Sequence, residues 1–117
     1  MHTRRTKILL PLLLVVVAIG LTACPSRVTI KQINADPDRY LNKEVGVIGK
    51  VTDSYGVPLV GGAYEIDDGT GRLWVLSEKG APSKGSEVGV KGRVVVGPVF
   101  KGRTFGTAIQ ESDRRVK

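Results

Sequence analysis

Three side chains near the middle of the chain have the types that hold an aromatic or charged ligand. Trp74 can stack on a nucleobase, a sugar or another aromatic group, and Arg72 and Glu65 add a guanidinium and a carboxylate. If Ile66 and Val75 in the two surrounding alternating segments face the core, these three side chains face outward. The alternative interpretation is that Trp74 packs under a neighbouring loop, because Trp is well buried on average.

Two predicted loops, 53–62 and 97–103, contain glycine and apolar residues. Their candidate ligand contacts are Tyr55, Phe100, Lys101 and Arg103. Loops carry most binding functions, although apolar loops also pack on their own domain. Lys50 is a further candidate. The strand pattern places it, like Lys91 and Arg93, on the faces of the first and fourth strands that are opposite the Val residues. Such a basic stripe either binds phosphates or is an ordinary solvated face.

Two residue types that are common in catalytic and metal sites, His and Cys, are missing after the first 24 positions. The one His is His2 and the one Cys is Cys24, so the remaining chain cannot supply Ser-His-Asp or Cys-His catalysis, common zinc sites or His-ligated haem. A hydrolase that uses Ser and Lys would have to draw them from Ser77, Ser83, Lys84 or Ser86, and nothing in the sequence marks an oxyanion hole. The acidic run 65–68 lacks the spacing of a calcium loop. We therefore expect a non-enzymatic protein that needs no metal and no cofactor.

The beginning of the chain has the parts of an export signal. Met1 to Lys7 is basic, 8–20 is an uncharged apolar run, and Leu21-Thr22-Ala23-Cys24 follows. An apolar run of this length is typical of a secretory signal, because a membrane-spanning helix needs about 20 apolar residues. The alternatives are an uncleaved anchor and a secreted protein with a chance cysteine.

The segment Leu21-Thr22-Ala23-Cys24 resembles the lipobox of bacterial lipoproteins. The resemblance implies cleavage after Ala23, a diacylglyceryl thioether on Cys24 and usually a further acyl chain, such as palmitate, on the new amino group. Two or three such chains hold a protein stably on a membrane. We therefore expect a signal peptide over 1–23, a lipidated tether over 24–28 and a location in the cell envelope, facing the periplasm or the exterior. The choice between inner and outer membrane stays open.

After the tether, the pattern indicates a short helical start and then strands. Thr29-Ile30-Lys31-Gln32 has the form of a capping box, and Asp36-Pro37 suits a second helix start. Tyr40 and Leu41 are expected to fill the core. A period of two then predicts five strands, at about 44–52, 63–67, 72–76, 87–96 and 104–111.

Two features of these strands are specific. The run Asp67-Asp68-Gly69-Thr70-Gly71 predicts a hairpin between the second and third strands. The first and fourth strands share nearly the same octapeptide, at 44–51 and 87–94, with Gly49 and Gly92 in equivalent places. Each glycine predicts a sharp bend or the close approach of another backbone.

These strands resemble OB-fold domains of the anticodon-binding-like superfamily, especially its small exported bacterial members. The resemblance rests on the alternating valines and glycines of 45–51 and 88–94 and on the hairpin run with its flanking strands. It implies an all-β, five-stranded Greek-key barrel over 29–112 with a short N-terminal helix. No long helix is expected between the third and fourth strands, because 77–86 contains Gly80, Pro82 and Gly85. The residues 113–117 are interpreted as a charged tail.

The primary interpretation of function is a lipid-anchored binding module of the cell envelope for a small molecule, a glycan or a protein partner. OB folds bind ligands on the outward face of the second and third strands and on flanking loops. The alternative is binding of single-stranded nucleic acid, motivated by Trp74 and by the 15 basic and 11 acidic residues that follow position 23. Nucleic acid is placed second, because an exported protein rarely meets it.

Overall fold

The computed structural model describes residues 26–100 and 102–117. Its elements are β1 (Ser26–Arg27), α1 (Ile30–Ala35), α2 (Pro37–Tyr40), β2 (Glu44–Val57), β3 (Gly61–Asp67), β4 (Arg72–Ser77), β5 (Glu87–Val96), β6 (Val99–Phe100), β7 (Arg103–Thr104) and β8 (Thr107–Val116). The expected signal peptide, Cys24 and Lys101 lie outside the described residues. Within the described part of the chain, neither helix is long and apolar enough to cross a membrane.

Five strands close a barrel in the order β2-β3-β4-β8-β5, with β5 pairing back to β2. The β4–β8 pair is parallel and the other four are antiparallel. Because β8 lies between β4 and β5, the connections form a Greek key. The segment between β4 and β5 contains turns and no helix. The predicted all-β OB-type barrel with a short N-terminal helix is confirmed.

The barrel interior follows the predicted alternation. Ile66, Leu73 and Val75 are buried, and Val47 and Val90 are buried opposite each other. The expectation for Leu41 is wrong, since this residue is 40% exposed. Asn42 follows it in the left-handed conformation, with φ 61°. That turn redirects the chain into β2, so Tyr40 packs partly buried against the core while Leu41 stays outside.

The two nearly identical octapeptides pair with each other along β2 and β5. Val47 is opposite Val90 at the centre, and Glu44 and Lys50 are opposite Arg93 and Glu87 at the ends. A Cβ atom at Gly49 would lie 2.9 Å from the carbonyl oxygen of Asp67, and one at Gly92 would overlap the carbonyl oxygen of Gln110. Close approach of a neighbouring backbone therefore requires glycine at both positions.

The hairpin turn between β3 and β4 caps the first helix. Asp68 Oδ2 accepts a hydrogen bond from the N–H of Ile30 at 2.9 Å, and Thr70 Oγ1 accepts one from the N–H of Lys31 at 3.1 Å. Partial burial raises the pKa of Asp68, but hydrogen bonds from Thr70, Ile30 and Gly71 outweigh it and hold that pKa below its usual range. The acidic turn thus positions α1, together with the predicted capping box of Thr29 and Gln32.

Both ends of the domain differ from the predicted boundaries. Ser26–Arg27, assigned to the tether, pairs in parallel with Val45 and Gly46 at the start of β2. At the other end, Asp113 pairs with Lys91 of β5, and the pairing continues to Val116 opposite Val88. The residues 113–116 therefore belong to the barrel rather than to a separate tail. The alternation of apolar and polar residues is weak over 113–116, because charged residues occupy both faces of the strand.

A buried polar cluster closes the barrel where β3, β4 and β8 meet. Glu111, whose side chain is 2% exposed, accepts hydrogen bonds from the hydroxyls of Tyr64 at 2.5 Å and Ser77 at 2.7 Å. Arg114 Nη1 lies 3.3 Å from Glu111 Oε1 and donates to the carbonyl of Gly80 at 2.7 Å. We call Tyr64, Ser77, Glu111 and Arg114 the closure cluster.

The closure cluster has a clear effect on Tyr64. Burial, followed by the hydrogen bond to Glu111 and the charge of Glu111, raises the pKa of the Tyr64 hydroxyl well above its usual value, while Arg114 opposes the shift. Ser77 donates its hydroxyl proton to Glu111 and accepts from the N–H of Lys79. The Ser77 hydroxyl therefore has a structural role.

Candidate ligand-binding face

The outer surface of β2, β3 and β4 is arranged in three rows by the strand register. Lys50, Asp67 and Arg72 form the first row, Asp53, Glu65 and Trp74 the second, and Tyr55, Ala63 and Leu76 the third. A bulge after Val51 shifts the register, so that Thr52 and Asp53 both lie near Glu65. We call this surface the aromatic face.

Four side chains form a compact group on the aromatic face. The rings of Tyr55 and Trp74 are stacked, with centroids 5.8 Å apart and planes inclined by 17°. The Phe105 ring lies 5.3 Å from that of Trp74 at 55°. The guanidinium of Arg103 lies over both Trp74 and Phe105, with its Cζ atom 5.0 Å from each centroid. We call Tyr55, Trp74, Arg103 and Phe105 the aromatic cluster.

The β6–β7 hairpin reaches the aromatic face because its base is fixed to the barrel. The N–H of Gly97 donates to the carbonyl of Gly106 at 2.7 Å, and the N–H of Phe105 donates to that of Pro98 at 2.9 Å. Phe105 is buried against a small apolar group on the outside of the barrel. That group comprises Ala63, Leu76 and Ala108, with Trp74, Val95 and Phe100 packed around it.

The sequence allows Trp74 either to face outward or to pack under a loop, and the structure combines the two. The side chain faces outward, as the alternation predicted, but it is half-buried beneath the β6–β7 hairpin and against Tyr55. Tyr55 is 48% exposed and lies on β2 rather than in the predicted loop 53–62. Because the indole already has protein neighbours, the exposed ring of Tyr55 is the surface on which a ligand can stack.

The charges of the aromatic face are largely paired within it. Arg72 Nε lies 3.3 Å from Asp67 Oδ2, and Arg72 Nη1 lies 3.9 Å from Glu65 Oε1. Thr52 donates its hydroxyl to Glu65 at 2.8 Å. The hydroxyl of Tyr55 donates to Asp53 at 3.2 Å. Arg72 and Glu65 therefore act as a pair beside the aromatic cluster rather than as free charges.

The remaining candidate residues are more scattered. Lys50 is exposed in the first row, opposite Asp67 on β3 and Glu87 on β5. The proposed stripe of Lys50, Lys91 and Arg93 is interrupted, because Glu87 and Glu44 stand opposite its two ends. Phe100, on β6 of the hairpin, is partly buried against the apolar group around Phe105 rather than displayed to a ligand.

Sequence reasoning missed Phe105 and Asp53. Phe105 was assigned to the beginning of the last strand, where a single aromatic residue gives no sign of packing on the outside of a barrel. Asp53 follows a bulge, which alternation alone does not reveal. Among the described residues, no three His, Cys, Asp or Glu side chains are grouped to hold a metal ion. The site offers stacking, one guanidinium over the rings and a row of paired charges.

Solved structures with the same barrel include two aminoacyl-tRNA synthetases. One is the asparaginyl-tRNA synthetase of Entamoeba histolytica in complex with asparaginyl-adenylate, at 14% identity and a TM-score of 0.58. The other is a putative aspartyl-tRNA synthetase of Leishmania major Friedlin, at 12% identity and a TM-score of 0.58. The chain has the OB fold. This agrees with the OB fold that the strand pattern implies.

The similarity covers most of this chain but only a small part of each synthetase. It covers 80% of this chain but only 24% of the first synthetase and 21% of the second. At this level of identity it establishes the fold alone. No protein-family model and no curated protein matches the chain.

Proposed function

We propose that this chain is a non-enzymatic binding module that holds single-stranded nucleic acid on its aromatic face. The observation that carries the proposal is the aromatic cluster, in which the exposed ring of Tyr55 extends a stack built on Trp74, Phe105 and Arg103. Proteins that bind single strands without sequence preference stack bases on aromatic rings, and OB folds do so on this face.

Charge and the comparisons support the same ligand. Arg103 lies on the cluster itself, and Lys50 is exposed in the row next to that of Trp74. The chain after position 23 carries 15 basic and 11 acidic residues, a balance that attracts polyanions. Both synthetases act on tRNA, as their names state. These observations favour nucleic acid over the envelope ligand that the sequence placed first.

Fluorescence titration tests this proposal directly. Trp74 is the only Trp in the chain, so its emission reports on the aromatic cluster. We expect short single-stranded oligonucleotides to change the emission at low salt, with affinity that falls as salt increases. Tyr55→Ala should weaken binding roughly 5- to 100-fold, which corresponds to the loss of one stacked base.

Two matched variants separate stacking from charge. Tyr55→Phe keeps the ring and loses only the hydrogen bond to Asp53, so it should bind like the natural chain. Arg103→Gln should lower the salt dependence, whereas Lys79→Gln, on the segment after β4, should not. Absence of binding at low salt, or binding that Tyr55→Ala leaves unchanged, would overturn the proposal.

A second candidate function is the lipid-anchored envelope module, which binds a small molecule, a glycan or a protein partner on the same face. It is favoured by Leu21-Thr22-Ala23-Cys24 behind a basic and apolar leader. Three carboxylates on the face also favour it, because Asp53, Glu65 and Asp67 repel a polyanion. Such a ligand would bind with little salt dependence, so the titration above distinguishes the two functions.

The lipid anchor has its own test. Mass measurement of the intact chain produced in a bacterial host should show a start at Cys24 and the added mass of two or three acyl chains. The variant Cys24→Ser should lack that mass and leave the membrane fraction. An unmodified Cys24, or a chain that still starts at Met1, would refute the anchor.

A further inference from the structure

A groove lies on the barrel, away from the aromatic face. Its volume is about 690 Å³, and none of its lining residues belongs to the aromatic cluster. Its floor is the outer surface of the β2–β5 pair, where Gly46 is opposite Lys91 and Ile48 is opposite Gly89. Because glycine has no side chain, this part of the sheet is left open between β1 and the end of β8. We call this surface the glycine face.

The rim of the glycine face is positively charged. Five basic and two acidic residues line the groove, although one of the five, Arg114, is paired with Glu111 in the closure cluster. Lys117 is paired with Glu87 at 3.7 Å. Arg27, Lys91 and Arg115 are exposed, and within residues 26–100 and 102–117 none of these three has a carboxylate oxygen within 4.0 Å.

Apolar side chains are exposed between these charges. Ile48 is 51% exposed on the floor, and Val116 is 52% exposed on the bank formed by β8. An exposed apolar group ringed by cations suits the boundary of an anionic bilayer, where phosphates meet hydrocarbon. It suits a free anion less well, since a free anion gains nothing from exposed Ile and Val side chains.

The position of the glycine face in the chain points to the same partner. Arg27 is three residues after Cys24, so extended chain can separate them by only about 10 Å. Tyr55 is nine residues along β2 from Gly46, or roughly 30 Å of strand. Acyl chains on Cys24 would therefore bring the membrane surface to the glycine face and leave the aromatic face distant from it.

We infer that the glycine face docks on the bilayer and binds the phosphates of anionic lipids through Arg27, Lys91 and Arg115. This inference rests on the proposed lipid anchor at Cys24. Each basic residue close to an anionic leaflet strengthens attachment about fivefold. The docked barrel then has a fixed orientation, with the aromatic cluster presented to ligands beyond the membrane.

Lysine footprinting on vesicles tests the docking. The acylated protein is reconstituted in vesicles of phosphatidylcholine alone or with added phosphatidylglycerol, and an amine-reactive reagent then labels it. Lys91 should react several-fold more slowly on the anionic vesicles, and high salt should remove the protection. Lys79 and Lys84, on the segment between β4 and β5, should react equally on both and serve as internal controls.

Charge variants sharpen the same measurement. Arg27→Gln with Arg115→Gln should abolish the protection of Lys91, whereas Lys79→Gln with Lys84→Gln removes equal charge and should preserve it. Equal labelling of Lys91 on both vesicles, in a chain that carries its acyl mass, overturns the docking alone. Protection by inorganic phosphate on neutral vesicles would mark a small-anion site and also overturns it. Lack of acyl mass on Cys24 overturns the anchor and the docking together.

Discussion

The closure cluster and the aromatic face share strands β3 and β4, yet their side chains differ in burial and in hydrogen bonding. Tyr64 points inward to Glu111, while the next residue, Glu65, lies on the aromatic face. In the closure cluster each polar group has a partner, and all are buried except Arg114, whose side chain is 18% exposed. In the aromatic cluster Tyr55 remains about half exposed. Strand alternation thus separates the residues that stabilise the barrel from those available to a ligand.

The largest effect on stability is expected from removing the centre of the closure cluster. Glu111→Ala leaves the hydroxyls of Tyr64 and Ser77 without their acceptor and Arg114 without its carboxylate partner, so the free energy of unfolding should fall by about 3 kcal/mol. Urea unfolding measures the loss. Glu87→Ala is the matched control, because it removes an exposed ion pair with Lys117 and should cost under about 1 kcal/mol. Equal losses would show that the closure cluster does not stabilise the barrel.

Gly92 and Gly46, two of the four glycines in the repeated octapeptides, should respond very differently to substitution. Gly92→Ala places a Cβ atom against the backbone of Gln110 and the Ile109 side chain, so we expect a loss of about 2–3 kcal/mol in unfolding free energy. At Gly46 a Cβ atom meets nothing within 4 Å, and Gly46→Ala should change stability by less than about 0.5 kcal/mol. Thermal or urea unfolding compares them. A damaging Gly46→Ala would contradict the open floor of the glycine face.

A smaller effect, with a characteristic pH dependence, is expected at the edge of the closure cluster. Tyr64→Phe removes a buried hydroxyl that donates to Glu111, which should cost about 1–2 kcal/mol at neutral pH. Burial and Glu111 raise the pKa of this hydroxyl, so its contribution is fully present below the unfolded pKa of about 10 and is lost as pH rises beyond it. Unfolding measured from neutral to alkaline pH should therefore show the two proteins converging above pH 10. If the unfolding free energies of the two proteins instead fall in parallel with pH, the loss of stability at alkaline pH arises from another group.

Much of the barrel could be predicted because its strands have one face in the core. The period of two located all five strands, and the capping box of Thr29 and Gln32 was found where it was expected. The glycines at 49 and 92 were predicted to allow a close approach, although the partner strands were not identified. The ends were less predictable, since Ser26–Arg27 and 113–116 pair at positions where apolar alternation is weak.

The aromatic face was only partly predictable for a related reason. Trp74, Arg72 and Glu65 were identified because their strands alternate cleanly. The aromatic cluster also needs Tyr55, which was named as a loop candidate but lies on β2 beyond a bulge, and Phe105, which was missed and belongs to the base of a hairpin. A bulge and a loop folding over the outside of a barrel depend on tertiary packing. Neither leaves a periodic signal in the sequence.

The smallest expected effect is at the tip of the β2–β3 hairpin, close to Tyr55. Leu59 is fully exposed with φ 66°, and it follows Pro58 in a turn closed by the N–H of Val60 to the carbonyl of Val57 at 3.1 Å. Glycine is the usual residue at this position, so Leu59→Gly should raise the free energy of unfolding by about 0.5 kcal/mol. Val60→Gly, which relieves no left-handed residue, should lower it. If Leu59→Gly is more stable but binds oligonucleotide less tightly, the tip belongs to the aromatic face. If it is less stable, Leu59 makes contacts that its exposure does not indicate.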